Sequence, residues 1–302
     1  MTLDDLFDMW EPTQTTKIRT QVSHREHYRR HLAPALGKRD ITTITRADVA
    51  RLLGDRTTLG LSARTVRNIA TTLSVILEHA VDADMLPVNP VAGVKRPRVM
   101  KLRPDNVLAP AQLAEMAGLH GTGGAITTAL GWTGLRWSEL AGLQVRDFAV
   151  NPCPTIKVRR QLLRVPGHGL MITTPKSHAA RTVPVPDPAV RVFSAASRGR
   201  ERDELLFTSP TGAPLNASNW RRAVDWAGSV AALDLVGFRP HDLRHSAASY
   251  WIACGADIKT IQAILGHASG QMTLDVYGHL LDQGLAEAGQ RINRWSAERL
   301  RG

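Results

Sequence analysis

Residues 240–246 read Pro240-His241-Asp242-Leu243-Arg244-His245-Ser246, and the chain continues with Leu265-Gly266-His267-Ala268 and then Thr273-Leu274-Asp275-Val276-Tyr277-Gly278-His279. Asp242 to Ala253 and Ile258 to Leu265 both repeat apolar residues at helical spacing. His241 and Arg244, three apart behind Pro240, therefore share a face at a helix start. That face offers an imidazole and a guanidinium, both suited to phosphate oxygens. His241 and His245 also have the spacing of the zinc-protease helix H-E-x-x-H, but Asp242 stands where that motif has glutamate. Arg244 would set a positive charge beside the metal, so no metal is expected. Tyr277, ten residues beyond His267, is by itself as readily a half-buried aromatic.

Two earlier segments change that balance. In Thr133-Gly134-Leu135-Arg136-Trp137-Ser138-Glu139-Leu140, the acid three residues after Arg136 can orient its guanidinium, although such a pair alone reads as an exposed helical ion pair. Thr174-Pro175-Lys176-Ser177-His178, followed by Arg181, puts a lysine in a turn after a strand, where a solvated lysine is the ordinary reading. Taken jointly, Arg136, Lys176, His241, Arg244, His267 and Tyr277 are the parts that a metal-free phosphoryl transfer needs. Without Mg²⁺, guanidinium forks and imidazoles must carry the charge that builds on the phosphate oxygens. A phenol serves as an oxygen nucleophile that also leaves again, and a positioned lysine can protonate the departing 5′ oxygen.

With these motifs together the chain resembles the tyrosine recombinase family of phage integrases and Xer-type resolvases. Thr133-Gly134-Leu135-Arg136-x-Ser138-Glu139-Leu140 is similar to its first box, and His241-x-x-Arg244-His245 with Leu265-Gly266-His267 and Tyr277 to its second. The resemblance implies that Arg136 and Arg244 clamp the scissile phosphate and that Glu139 orients Arg136. It implies Lys176 as general acid, His241 as an aid to proton transfer and His267 as a phosphate ligand. Tyr277 becomes the nucleophile of a 3′-phosphotyrosyl intermediate. It further implies no cofactor, double-stranded DNA sites as partners, a homotetramer on two sites exchanging strands through a Holliday junction, and accessory directionality or host factors. A type IB topoisomerase shares the tyrosine and arginine chemistry, and a catalytically silent DNA-binding regulator is the reading from another class. The wording around Tyr277 favours integration and excision over Xer-like dimer resolution.

Outward from the motifs, the fold expected is mainly α with a small β-sheet. Residues 1–94 form a helical bundle, by resemblance a SAM-like core-binding domain. Residues 95–107 are a linker broken by Pro97 and Pro104, and 108–302 an α+β catalytic domain. In the bundle, a helix is expected from Thr20 to Leu36. A second opens at a Thr45–Asp48 capping box and is closed by Gly54. A third is capped by Ser62 and buries Val66, Ile69, Leu73, Ile76, Leu77 and Ala80. Strands are expected at Thr155–Arg159, Leu170–Thr174 and Thr182–Val185, and helices at Trp220–Val230 and Leu280–Arg294. The resemblance would pack that last helix, with Leu285, Ala288, Ile292 and Trp295, on a neighbouring subunit. An extra arm-binding domain is expected to be absent, because Met1 lies close to the bundle.

The formal charge is +11 on 302 residues. Residues 1–102 hold 16 basic against 11 acidic residues, and the rest 22 against 16. An excess running through both halves suits a polyanion. Candidate DNA contacts are Arg64 and Arg67 in the bundle, Lys95, Arg96 and Arg98 in the linker, and Arg181. Two cysteines, Cys153 and Cys254, are too few for a disulfide scaffold, and no apolar run reaches the ~20 residues of a membrane span. A cytoplasmic protein of a bacterial or phage-infected cell is the expectation.

Overall fold

The computed structural model describes residues 1–99, 107–175, 180–267, 269–281 and 285–300, with the backbone alone at 272, 275, 279–281, 285–288 and 291. The chain divides into two compact units, one built on Met1–Lys101 with Val165–Gly169 and the other on Leu102–Arg164 with Leu170–Gly302.

Within residues 1–99 the α-helices are α1 (Leu3–Trp10), α2 (Ile18–His27), α3 (Ala33–Leu36), α4 (Arg46–Thr58) and α5 (Ala63–Asp82). Helix α1 is absent from the sequence expectation. Its start is set by a capping box in which the Thr2 hydroxyl accepts from Asp5 N–H and the Asp5 carboxylate accepts from Thr2 N–H. Leu3, Leu6, Phe7 and Trp10 then recur at three- and four-residue steps and are all buried. The Thr20–Leu36 run is α2 joined to α3 through a π-turn at Tyr28–Leu32. That turn aims Tyr28 inward, where its ring stacks on Phe7 and its hydroxyl donates to Asp4 at 2.6 Å.

The Thr45–Asp48 box opens α4 as expected, with both reciprocal hydrogen bonds formed. Gly54 does not close it: α4 runs on to Thr58. A glycine inside a helix costs about 1 kcal/mol against alanine, and burial of Val49, Leu52 and Leu53 offsets that. Ser62 caps α5 through Thr65 N–H, and the six residues assigned to its apolar face are all buried. Of the linker expected at 95–107, residues 95–99 have no regular structure, and 100–106 lie outside the described residues.

The second unit runs α6 (Pro110–Leu119), α7 (Gly124–Thr133), α8 (Trp137–Ala141), β1 (Phe148–Ala149), β2 (Thr155–Val158), β3 (Gln161–Val165), β4 (Gly169–Thr173), β5 (Arg181–Pro184), α9 (Asp187–Ser197), α10 (Ala217–Ala223), α11 (Trp226–Ala232), α12 (Asp242–Ala253), α13 (Ile258–Leu265), α14 (Gly270–Leu281) and α15 (Leu285–Arg299). Helix α7, apolar nearly all round, is central and packs against α6, α9 and α12. The sheet has order β1-β2-β5 and is antiparallel, with Ile156 opposite Val183 and Val158 opposite Arg181. Strands β3 and β4 form a separate two-stranded sheet.

One expected helix is corrected. Trp220–Val230 is α10 and α11, divided at Asp225, which takes φ +45° and caps α11 with its carboxylate. Asparagine and aspartate tolerate that left-handed region better than other side chains. Leu280 and Leu281 lie at the end of α14, which carries Tyr277, Leu285–Arg299 form α15, and residues 282–284 lie outside the described residues. On α15, Ile292 and Trp295 are 58% and 53% exposed, an apolar face turned to solvent. The side chains of Leu285 and Ala288 lie outside the described residues. Among the described residues no helix is long and apolar enough to cross a membrane.

Candidate active site

The site is assembled on the carbonyl end of α13. A helix C-terminus leaves its last carbonyls without intrahelical partners and carries the negative end of the helix dipole, so a guanidinium is well matched there. Arg244, from the first turn of α12, donates through Nη2 to the Leu265 carbonyl and through Nη1 to the Gly134 carbonyl at 2.7 Å. Gly134 ends α7 at φ +68°. A side chain there would be strained and would press on Leu265 and Ala247. Gly266 ends α13 at φ +63°, and a Cβ on it would crowd the Arg181 side chain at 3.0 Å. Arg136, at the start of α8, donates to the same Leu265 carbonyl at 3.4 Å and to the Gly266 carbonyl at 3.2 Å. Two arginines 108 positions apart in sequence thus meet on one peptide group.

Glu139 is not the exposed partner that its spacing alone suggests. Its side chain is 0% exposed and lies between two guanidiniums. Arg136 donates to Oε1 at 2.8 Å, and its backbone N–H to Oε2 at 2.9 Å. Arg181 donates to both carboxylate oxygens, at 2.9 and 2.7 Å, the bidentate geometry that a planar guanidinium favours. Burial would raise the Glu139 carboxyl, yet Arg181 and then Arg136 hold it at about 2.

Arg181, expected as a DNA contact, is placed by the structure beside Glu139. The pairing of Val158 with Arg181 sets it at the start of β5. From there its Nε donates to the Ile264 carbonyl at 2.8 Å and its other nitrogens to Glu139. The side chain is 8% exposed. Every nitrogen of the fork faces protein, so the residue braces the site from behind.

Helices α12, α13 and α14 pack on one another and bring the remaining groups together. Tyr277 sits among Ala248, Ile261 and Leu265 and is 1% exposed. Its hydroxyl is hydrogen-bonded to Nδ1 of His245 at 2.7 Å. His267, just past α13, bonds through Nδ1 to the buried Thr273 hydroxyl of α14 at 2.9 Å. His241, at the N-terminus of α12, has its ring edge-to-face with His245 at 5.7 Å between centroids. Burial lowers His267 to about 3, with Arg244 and Arg136 adding to the effect, and burial also lowers His245. Burial and neighbouring positive charge thus favour the neutral imidazoles at neutral pH. Burial raises the Tyr277 phenol, while Arg244 opposes the rise.

Of the sequence candidates, the structure gathers Arg136, Glu139, Arg244, His267 and Tyr277 around α12 to α14, with His241 at the N-terminus of α12. Lys176 lies outside the described residues. In the first unit Arg64 and Arg67 are exposed on α5, one turn apart. Arg96 donates to Thr71, a turn further along the same helix, at 3.2 Å. Lys95 and Arg98 are exposed. Sequence reasoning missed His245 as a partner of Tyr277. The available signal was the four-residue step from His241, which was weighed only for zinc. Among the described residues no cluster of three histidines, cysteines or acids is placed to hold a metal.

Comparison with known proteins agrees with this geometry. The model of the phage integrase family matches residues 120–284, which carry Arg136 through Tyr277. The chain is 29% identical to the tyrosine recombinase XerC of Corynebacterium efficiens, over 86% of this chain and 80% of that one. It is 28% identical to the ICEBs1 integrase of Bacillus subtilis, over 87% and 74%. The fold is shared with the Tn1549 transposon integrase in complex with a circular intermediate DNA, at TM-score 0.78 and 23% identity, covering 91% of this chain and 94% of that one. The chain belongs to the phage integrase family, the tyrosine recombinases.

Proposed function

We propose that the protein is a site-specific DNA recombinase of the integration and excision type, which cuts and rejoins strands through a covalent bond to Tyr277. The observation that carries the reading is the convergence of Arg136 and Arg244 on the Leu265 carbonyl beside the helix that holds Tyr277. Guanidiniums fixed in advance at the place where phosphate charge develops stabilise the transition state without reorganisation. Arg136 and Arg244 hold the scissile phosphate, and Glu139 with Arg181 keeps Arg136 in place. His267 binds a phosphate oxygen, Lys176 protonates the 5′ oxygen, and the tyrosyl ester keeps the bond energy for religation. Four subunits act on two duplex sites through a Holliday junction. The exposed Ile292 and Trp295 face of α15 then docks on a neighbouring subunit, and accessory factors set direction.

The test mixes purified protein with nicked duplexes carrying the DNA that flanks its gene. An adduct resisting SDS, at a 3′ end, is expected, and no adduct on any of them overturns the reading. The similarity to XerC favours a second reading, resolution of chromosome or plasmid dimers. Joining of two different sites marks an integrase, exchange between two identical sites a resolvase, and relaxation of a plasmid with one site a topoisomerase.

Two further outcomes follow. Lys176→Ala should slow cleavage on the order of 10²- to 10⁴-fold, as loss of a general acid does. A 5′-bridging phosphorothiolate should restore it, because sulfur leaves without a proton, and absence of rescue removes that role from Lys176. DNA binding should weaken steeply with salt. The Arg64→Ala and Arg67→Ala variants should each lower the slope of log K against log salt by about 1. An unchanged slope in filter binding removes them from the phosphate contacts.

A further inference from the structure

We propose that His245 is the proton acceptor for Tyr277, an inference that rests on Tyr277 being the nucleophile. The Tyr277 hydroxyl is 2.7 Å from Nδ1 of His245, and no other hydrogen-bond partner of that hydroxyl is found among the described residues. His241, which the family resemblance marks for proton transfer, lies one helical turn away with its ring edge-to-face on His245, and among the described residues it makes no hydrogen bond to Tyr277.

A buried phenol beside arginines is a poor nucleophile while it keeps its proton, so a base must take that proton as the oxygen attacks. For Nδ1 to accept, the ring must be neutral with its proton on Nε2. The surroundings favour the neutral ring. On α12 itself His241, Asp242 and Arg244 face the ring, Arg239 approaches from the preceding turn, Tyr277 from α14 and His267 from beyond α13. The arginines disfavour an imidazolium at rest. Asp242 favours one, and it is held beside the ring by the Arg239 N–H at 2.7 Å. An arriving phosphate offsets the arginine charge, so the proton affinity of His245 rises when substrate is bound.

In the step, the Tyr277 oxygen bonds to phosphorus as its proton passes to His245 Nδ1. The bond from phosphorus to the 5′ oxygen breaks, and that oxygen takes a proton from the general acid. In religation the 5′ hydroxyl attacks, the phosphotyrosyl bond breaks, and the imidazolium returns its proton to Tyr277. Nothing is oxidised or reduced.

The experiment follows single-turnover adduct formation on a nicked suicide duplex from pH 5 to 9, for wild type, His245→Gln and His241→Gln. DNA binding is measured by gel shift and folding by thermal melting. Glutamine can accept the phenol's hydrogen bond but cannot hold its proton. His245→Gln is expected to bind DNA and cleave on the order of 10²- to 10⁴-fold more slowly. Its rate should climb steadily with pH, without the fall below neutral that a titrating His245 gives the wild type, while His241→Gln keeps that fall. His245→Gln as fast as wild type, faster than it, or with the same acid limb overturns the proposal. So does an NMR tautomer assignment in the wild-type protein that puts the neutral ring proton on Nδ1. An intact acid limb in His245→Gln leaves Tyr277 as nucleophile untouched, whereas no adduct from wild type sinks both readings.

Discussion

Tyr277→Phe is expected to bind its DNA site with unchanged affinity and to form no covalent adduct. Removing a covalent nucleophile costs on the order of 10⁶-fold in rate, which places residual cleavage below detection on a suicide substrate. The substitution deletes one oxygen and its hydrogen bond to His245. The ring remains packed on Ala248, Ile261 and Leu265, so folding should persist. Denaturing gels read the adduct and native gels the complex. An adduct of wild-type yield from the phenylalanine variant would mean that another group attacks. Because Tyr277 is 1% exposed, a small phenol-directed reagent should also fail to reach it in the protein without DNA.

Glu139→Ala is expected to be the most damaging single change to stability in the second unit. It leaves Arg136 and Arg181 facing each other across a buried gap with no anion between them. Breaking a buried ion pair from one side typically costs about 3–5 kcal/mol, roughly 10 °C in a unit of this size. Replacing both Glu139 and Arg181 with methionine should recover much of that loss, since apolar residues of similar volume often replace buried pairs at little cost. A double variant no more stable than Glu139→Ala would contradict this account. The carboxyl is depressed in the folded state, so its contribution is complete above about 4.5 and is lost as pH falls through about 2. Glu139→Gln should flatten that acid limb in melting curves recorded against pH.

Much of this was legible in the sequence, for identifiable reasons. The α5 face and the Thr45–Asp48 cap could be read because both are local: a 3.6-residue repeat, and a hydroxyl with an acid three residues on. The site residues were legible as chemical types at particular spacings. Their joints were not. The Leu265 and Gly266 carbonyls that anchor two arginines are backbone atoms, which every sequence has. Arg181 looked like surface charge because nothing local reveals that its strand faces Glu139 across the fold. Helix α14 was overlooked because two glycines and two β-branched residues within twelve positions weaken the helical signal, and tertiary packing overrides them. Helix α1 was overlooked because it is only two turns long.

The shared peptide group at the end of α13 couples two distant segments of the chain. A shift of that corner disturbs both guanidiniums at once, although Glu139 still holds Arg136 and the Gly134 carbonyl still holds Arg244. If the two arginines clamp the scissile phosphate as proposed, a subunit with this corner out of place would lose the alignment of both together.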